Sequence, residues 1–136
     1  MIFALDDIMG LRAGRYSERQ VGEIPADVLA LLGWRSSIVY LSPDSLAHIN
    51  DRHPDIGDLD LLFLPQMIRK GLLIRENAKP NILLVCYQAG DKRYCASLKM
   101  AASTRFDVWV VSMRRMKPRQ TRAMLNRGEM IRPHQS

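Results

Sequence analysis

The stretch of residues 82–100 constrains the fold of this chain more than any other. Two apolar runs flank Gly90 and Asp91, and such a glycine-aspartate pair is typical of the two central residues of a β-hairpin turn. With this pair at the turn, the residues that face each other across the hairpin include the pairs Cys86 and Cys95, and Tyr87 and Tyr94. We therefore predict two antiparallel strands in a defined register.

Alternation along this hairpin assigns its side chains to two faces of a sheet. The apolar face must pack on other elements, and it carries Leu83, Val85, Tyr87, Tyr94, Ala96 and Leu98. The opposite face carries Gln88, Arg93, Ser97 and Lys99. This basic face is a candidate cleft, and an ordinary solvated sheet face is the alternative.

Further apolar runs extend the hairpin into a larger sheet. Their short connections favour strands that follow one another in antiparallel order. The four strands of this meander are 72–76, 82–88, 92–100 and 106–113, and a separate brief strand is expected over 37–41.

Helices are predicted mainly before the sheet. A short helix over 24–32 should stop at Gly33, and a second one over 58–70 contains Pro65, which implies a kink or a break. We expect an α+β fold in which N-terminal helices pack on one face of a four- to five-stranded antiparallel sheet.

Residues 39–56, VYLSPDSLAHINDRHPDI, combine a strand end, a helix and two histidines. Ser42 is a good N-cap because its hydroxyl can accept a hydrogen bond from an amide of the first turn. On this helix His48 and Arg52 are four residues apart and share a face. His53 precedes a proline, which disfavours helical backbone at His53 and places it at the helix end.

A chain of 136 residues is expected to form a single domain core. Residues 1–22 show no sustained period and are expected to form an N-terminal arm, residues 23–116 the core, and residues 117–136 a basic C-terminal tail. The tail is either a short helix with Met124 and Leu125 as its apolar residues or a disordered arm that contacts phosphates.

The basic composition favours a polyanionic partner. Lysine and arginine number 20 against 14 aspartate and glutamate, so the formal net charge is +6. Nucleic acid is the favoured partner, and a merely solubilising surface is the alternative. No apolar run approaches the roughly 20 residues of a membrane span, and Asp6 and Asp7 interrupt the apolar start that a signal peptide would need. We expect a cytoplasmic protein with no membrane partner.

The two cysteines point to no cofactor. Cys86 and Cys95 could form a cross-strand disulfide, but in the cytoplasm they are expected to remain free thiols. Zinc binding together with His48 and His53 is disfavoured because the close paired spacing of structural zinc sites is missing. No metal or other cofactor is predicted.

The side-chain inventory suits RNA cleavage without a metal. That reaction needs a group that takes the 2′-hydroxyl proton, one that protonates the leaving oxygen, and cations that stabilise the phosphoryl charge. Histidine can serve in either proton role near neutral pH. The candidates are His48 and His53 for proton transfer, Lys99, Arg93 and Arg52 for phosphate binding, and Ser112 or Tyr94 as an additional donor. The alternative for His53 is that it only caps its own helix carbonyls.

The order of these segments resembles a known group of nucleases. The segments are VYLSPDSLAHINDRHPDI, the helix FLPQMIRKG, the paired strands NILLVCYQ and RYCASLKMA, and the closing strand FDVWVVSMRRM. Over residues 22–116 they resemble the phage nuclease domains of the barnase, EndoU, colicin and RelE (BECR) group, found in phage polyvalent proteins and toxin-like modules. The resemblance implies an α+β fold and metal-independent ribonuclease activity.

The resemblance also implies roles for individual residues and partners. His48 and His53 match the histidine cluster of the group, and Lys99 matches a basic residue on a middle strand. Ser112 stands where such domains often place a serine or threonine on the final strand, and Arg114 follows it on the same face. The implied partners are RNA, with tRNA as one candidate, and a cognate inhibitor or antitoxin. A catalytically inactive RNA- or protein-binding module of the same fold is the alternative.

Overall fold

The computed structural model describes residues 2–101 and 107–135, which form helices and one mixed sheet. In chain order the elements are α1 (Leu5–Arg12), β1 (Arg19–Glu23), α2 (Ala26–Leu32), β2 (Ile38–Leu41), α3 (Pro43–Arg52), α4 (Asp58–Leu61), α5 (Leu64–Lys70), β3 (Leu72–Glu76), β4 (Ile82–Ala89), β5 (Lys92–Met100), β6 (Val108–Arg115), α6 (Pro118–Arg127) and β7 (Gly128–Arg132). The α+β class is therefore confirmed.

The sheet is larger than expected and is not wholly antiparallel. In the described residues it has seven strands in the order β1-β2-β6-β5-β4-β3-β7, and β2 runs parallel to β6. The prediction of four to five antiparallel strands is thus corrected. Strands β1 and β7 have few apolar residues, and the pairing of β2 with β6 joins segments distant in sequence, so local alternation cannot reveal either feature.

The central hairpin follows the predicted register. Cys86 pairs with Cys95 and Tyr87 with Tyr94, and Gly90 adopts a φ of 63° in the turn. The positive φ favours glycine because it has no Cβ. All six residues predicted for the apolar face of the hairpin are buried. The predicted start of the last strand at Phe106 lies outside the described residues.

Helices cover both faces of the sheet. The main core packs the first face against α1 to α5 and includes Ile8, Val28, Leu46, Leu61 and Met67 among the helical residues. The second face, which is turned away from these helices, carries a smaller apolar cluster under α6: Ile74, Leu84, Cys86, Cys95, Met116 and Met124. The expectation that helices pack on one face only is therefore corrected. Met124, an apolar residue of α6, is buried on the second face.

The segments expected to be an arm and a tail contribute regular structure. Residues 1–22 supply α1 and most of β1, whose side chains Ile8, Leu11 and Val21 are buried. Residues 117–136 supply α6 and β7, and β7 pairs with β3. Both segments thus pack on the sheet, while the boundary at residue 116 as a functional division stays a prediction.

The histidine-bearing helix forms as predicted. The Ser42 hydroxyl accepts a hydrogen bond from the Ser45 amide at 3.1 Å, while Leu46 and Ile49 are buried against the sheet. The helix ends at Arg52, and the backbone N–H of His53 donates to the Ile49 carbonyl at 2.8 Å. The end of α3 is therefore well defined.

Pro65 divides the next helical segment into two pieces, α4 and α5. It lies in the first turn of α5, where a missing N–H removes no helical hydrogen bond. The predicted break is confirmed. None of the helices in the described ranges has both the length and the apolar character that crossing a membrane requires.

Candidate functional site

A cavity of about 480 Å³ opens on the second face of the sheet, beside α6. We name it the basic cavity because four cations line it: Lys79, Lys99, Arg114 and Arg127. Its other polar side chains are His53, Glu76, Ser97 and Ser112, and its apolar lining includes Leu84 and Met124. Three of the four predicted catalytic residues, His53, Lys99 and Ser112, therefore meet in one place together with Arg114.

Strand pairing positions the two serines. Leu84 of β4 pairs with Ser97 of β5, and Ser97 pairs with Ser112 of β6. A bulge in the β5-β6 pairing inserts Val111, since Leu98 pairs with Val110. The bulge turns Ser112 and Arg114 toward the second face, as predicted for the shared face of these two residues. The backbones of paired residues are about 5 Å apart, so the two serines are neighbours in the lining of the cavity.

Lys99 and Glu76 line the outer part of the basic cavity. Lys99 is exposed and pairs with Ile82 of β4, while Glu76 ends β3, the next strand. Two strand spacings separate the backbones of Lys99 and Glu76 by about 10 Å, a distance that their long side chains can bridge. A carboxylate and an ammonium group therefore face the same space.

His53 reaches the basic cavity from the end of α3. Its backbone is no longer helical, with φ −132° and ψ 70°, and its side chain is half-buried in the cavity wall. Within the described residues its ring makes no hydrogen bond, so it does not cap the carbonyls of its own helix. The imidazole is therefore available to a ligand in the cavity.

The four cations of the basic cavity form no ion pair with another described residue. Glu76 is the one acidic side chain among the described lining residues. A cavity with this balance favours an anionic ligand, because its four cations outnumber its one carboxylate.

The thiol on the cavity wall is unsuited to nucleophilic attack. A hydrogen bond to Cys86 and deep burial hold the pKa of Cys95 well above its ordinary value. The same hydrogen bond lowers the pKa of Cys86, against the effect of burial and with help from Arg114. Both cysteines are free. Because Cys95 stays protonated, the reactive groups of the cavity are its histidine, carboxylate and cations.

Four of the eight predicted residues lie elsewhere: His48, Arg52, Arg93 and Tyr94. His48 and Arg52 are exposed on α3 and are not part of the basic cavity as the described residues form it. Arg93 lines a separate cavity of about 130 Å³ together with Thr121 and His134. These four side chains do not converge with Lys99.

Tyr94 does not line the basic cavity as the described residues form it, but it lines the smaller cavity with Arg93, and its assignment to substrate binding stays a prediction. It is fully buried on the first face, where its hydroxyl donates a hydrogen bond to the carboxylate of Asp60. Burial and this hydrogen bond raise the pKa of Tyr94 to about 12. Alternation places Tyr94 on the apolar face, and Asp60 supplies the partner that a buried hydroxyl requires.

Sequence reasoning did not assign Glu76, Lys79 and Arg127 to the site. Alternation along β3 could have found Glu76, since it shares a face with Ile74. Lys79 lies in the turn before β4, and Arg127 joins the cavity only because α6 crosses the second face. The sequence around Lys79 and Arg127 has no local pattern that would predict their place in the cavity lining.

The described residues contain no cluster of three His, Cys, Asp or Glu side chains with the geometry of a metal-ligand set. Comparisons with protein-family models, with curated proteins and with solved structures find no match. The resemblance to BECR nucleases therefore stays a prediction. Function is inferred from the side chains of the basic cavity.

Proposed function

We propose that this protein is a metal-independent ribonuclease that cleaves RNA in the basic cavity. The observation that supports this most is that His53 and Glu76, two groups able to transfer protons, share the cavity with Lys99 and Arg114. Proton transfer and fixed positive charge are the two requirements of the reaction.

The reaction uses the 2′-hydroxyl of the substrate as its nucleophile. Its oxygen forms a bond to the adjacent phosphorus while the bond to the 5′-oxygen of the next nucleotide breaks. Glu76, as a carboxylate, takes the 2′-hydroxyl proton, and His53, as an imidazolium, gives a proton to the leaving 5′-oxygen. The products are a 2′,3′-cyclic phosphate and a 5′-hydroxyl. DNA lacks the nucleophile and would bind without being cleaved.

The four cations have two roles, one at the scissile phosphate and one at the neighbouring phosphates. Lys99 and Arg114 bind the non-bridging oxygens of the scissile phosphate, where negative charge increases in the transition state. The hydroxyl of Ser112 donates a further hydrogen bond to these oxygens. Lys79 and Arg127 bind the neighbouring phosphates of the strand. A flexible chain with several phosphates suits this arrangement better than a small anion does.

The biological setting follows the BECR resemblance. It suggests a phage or toxin-type effector of the cytoplasm, with tRNA or another structured RNA as substrate and a cognate inhibitor or antitoxin as partner.

A binding module without turnover is the second candidate. It is favoured by one observation, that His48 lies outside the basic cavity and leaves His53 as the one histidine among the described lining residues. This candidate uses the same cations to bind RNA or an acidic protein surface and predicts salt-sensitive binding with no product.

The two candidates are distinguished with purified protein and mixed RNA in the presence of a chelator. We expect fragments that end in a 2′,3′-cyclic phosphate. His53→Ala and Glu76→Gln should each lower the cleavage rate by about 100- to 10,000-fold, as loss of a general acid or base does. His48→Ala is the matched control and should cleave at the wild-type rate. Intact RNA that nevertheless binds in a salt-sensitive manner would establish the binding module instead.

A further inference from the structure

A second cavity adjoins the basic cavity and has a different lining. Its volume is about 340 Å³, and it shares Lys99 and Val111 with the basic cavity. Its other lining residues are Asn81, Ala101 and Trp109. We name it the aromatic cavity, because an indole forms its wall.

Trp109 is held on the second face by its strand neighbours. Val108 and Val110 on either side of it are buried in the main core, so Trp109 faces the opposite way. It pairs with Lys99 on one side and with Tyr40 of β2 on the other. The Tyr40 ring packs against the indole with centroids 5.5 Å apart and planes tilted by 40°. This contact fixes the indole beside Lys99 while it remains only half-buried.

Asn81 contributes an amide to the lining of the aromatic cavity. The side-chain amide of Asn81 makes no hydrogen bond within the described residues, so both its oxygen and its nitrogen can bind a ligand. The cavity therefore offers a flat aromatic surface, an amide and an ammonium group. A nucleobase attached to a phosphate is complementary to all three, since it has a π-face, polar edges and an adjacent negative charge.

We propose that Trp109 stacks on one unpaired nucleobase of the RNA, with the adjoining phosphate bound at Lys99 and the base edge contacted by Asn81. The proposal extends the ribonuclease function to a substrate class, single-stranded RNA or the unpaired loop of a folded RNA. A base within a duplex is already stacked and its face is not available to an indole.

The stacking site is tested by binding, apart from cleavage. The probe is a single-stranded 2′-O-methyl RNA oligonucleotide, which lacks a free 2′-hydroxyl and is not cut. In a Trp34→Phe background Trp109 is the one remaining tryptophan, and binding should quench its fluorescence. Trp109→Leu should weaken binding about 5- to 150-fold, as the loss of one base-aromatic stack does, whereas Trp109→Phe should retain most of the affinity.

Two controls separate stacking from general electrostatic binding. The duplex of the same sequence should bind without quenching, and so should a strand of abasic 2′-O-methyl units, because neither presents a free base. Unfolding curves of Trp109→Leu and Trp109→Phe test whether loss of affinity reflects loss of fold. If Trp109→Leu is misfolded, quenching in the Trp34→Phe protein decides the question.

The outcomes also distinguish this site from the ribonuclease activity. Quenched binding without cleavage of ordinary RNA supports the stacking site and contradicts the ribonuclease. Cleavage with unchanged tryptophan fluorescence and equal affinity of Trp109→Leu overturns the stacking site alone. Absence of any RNA binding overturns both.

Discussion

Lys99 and Trp109 are directly paired across β5 and β6, on the sheet face that α6 partly covers. The pair joins the two cavities, since Lys99 lines both and Trp109 lines the aromatic one. The backbones of the two residues are about 5 Å apart across the strands, so the phosphate and the base contacts proposed for one nucleotide lie next to each other. The sheet therefore fixes the relative position of Lys99 and Trp109, the two residues proposed to bind the nucleotide.

Lys99→Ala should impair both RNA binding and cleavage. Lys99 is assigned to the scissile phosphate, so the variant loses a cation that stabilises the transition state. We expect kcat/KM for an RNA substrate to fall by about 100-fold or more. The matched control is Arg52→Ala, which removes an exposed cation outside the described cavity lining and should leave kcat/KM unchanged. Equal effects of the two variants would contradict the assignment.

Asp60 and Tyr94 should make stability depend on pH at both extremes. Burial acts to raise the pKa of Asp60, but hydrogen bonds from Tyr94 and the Gly57 amide, together with Arg115, hold it below its ordinary value of 3.8. Its contribution to stability is complete above that value and is lost as the pH falls through the lower folded-state pKa. Tyr94, with its pKa raised to about 12, contributes fully below 10.0, and this contribution is lost as the pH rises toward 12.

The Asp60–Tyr94 contact is tested by urea unfolding across that pH range. Tyr94→Phe leaves the buried Asp60 carboxylate without one donor, and we expect a loss of about 1–3 kcal/mol at neutral pH. The variant should also lose the fall in stability between pH 10 and 12. Tyr40→Phe, which alters a tyrosine on the second face, serves as the control. Unchanged alkaline unfolding of Tyr94→Phe would argue against the buried hydrogen bond.

The fold was predictable where residues near in sequence determine the pairing. The hairpin register follows from the turn at Gly90, and α3 follows from the Ser42 cap. Strand β1, with the sequence RQVGE, has a single large apolar residue and no periodic pattern. Its place at the edge depends on β2, which in turn depends on a parallel contact with β6. Such distant pairings are determined by packing of the whole chain, which local periodicity does not record.

The candidate site was also predictable only where residues near in sequence determine a side chain's position. Lys99 follows from strand alternation, and His53 follows from the end of α3. Ser112 reaches the second face only because of the bulge at Val111, which alternation does not predict. His48 lies on α3 five residues before His53. Its side chain is exposed and is not among the described lining residues of the basic cavity. Glu76 was overlooked although β3 alternates regularly. Arg127 depends on the crossing of α6, a tertiary feature.

Removal of the Ser42 hydroxyl should destabilise α3 without altering the chemistry of the cavity. In Ser42→Ala the Ser45 amide loses its capping acceptor, which costs about 1 kcal/mol. The midpoint of urea unfolding should fall, while RNA affinity measured well below that midpoint stays at the wild-type value. Ser42→Asp restores a capping oxygen and should recover the stability. Failure of aspartate to do so would show that the hydroxyl acts in another way.

Arg127 should contribute one phosphate contact, and the salt dependence of binding measures it. Each phosphate neutralised on a single strand adds about 0.7 to the slope of log affinity against log salt concentration. Arg127→Ala should therefore reduce this slope by about 0.7, whereas Arg122→Ala, which removes an exposed cation of the same helix outside the described lining, should not. Since both substitutions replace arginine by alanine on α6, they change net charge equally. Equal slopes for the two variants would mean that α6 binds RNA only through its overall charge. Arg127 would then make no specific phosphate contact in the basic cavity.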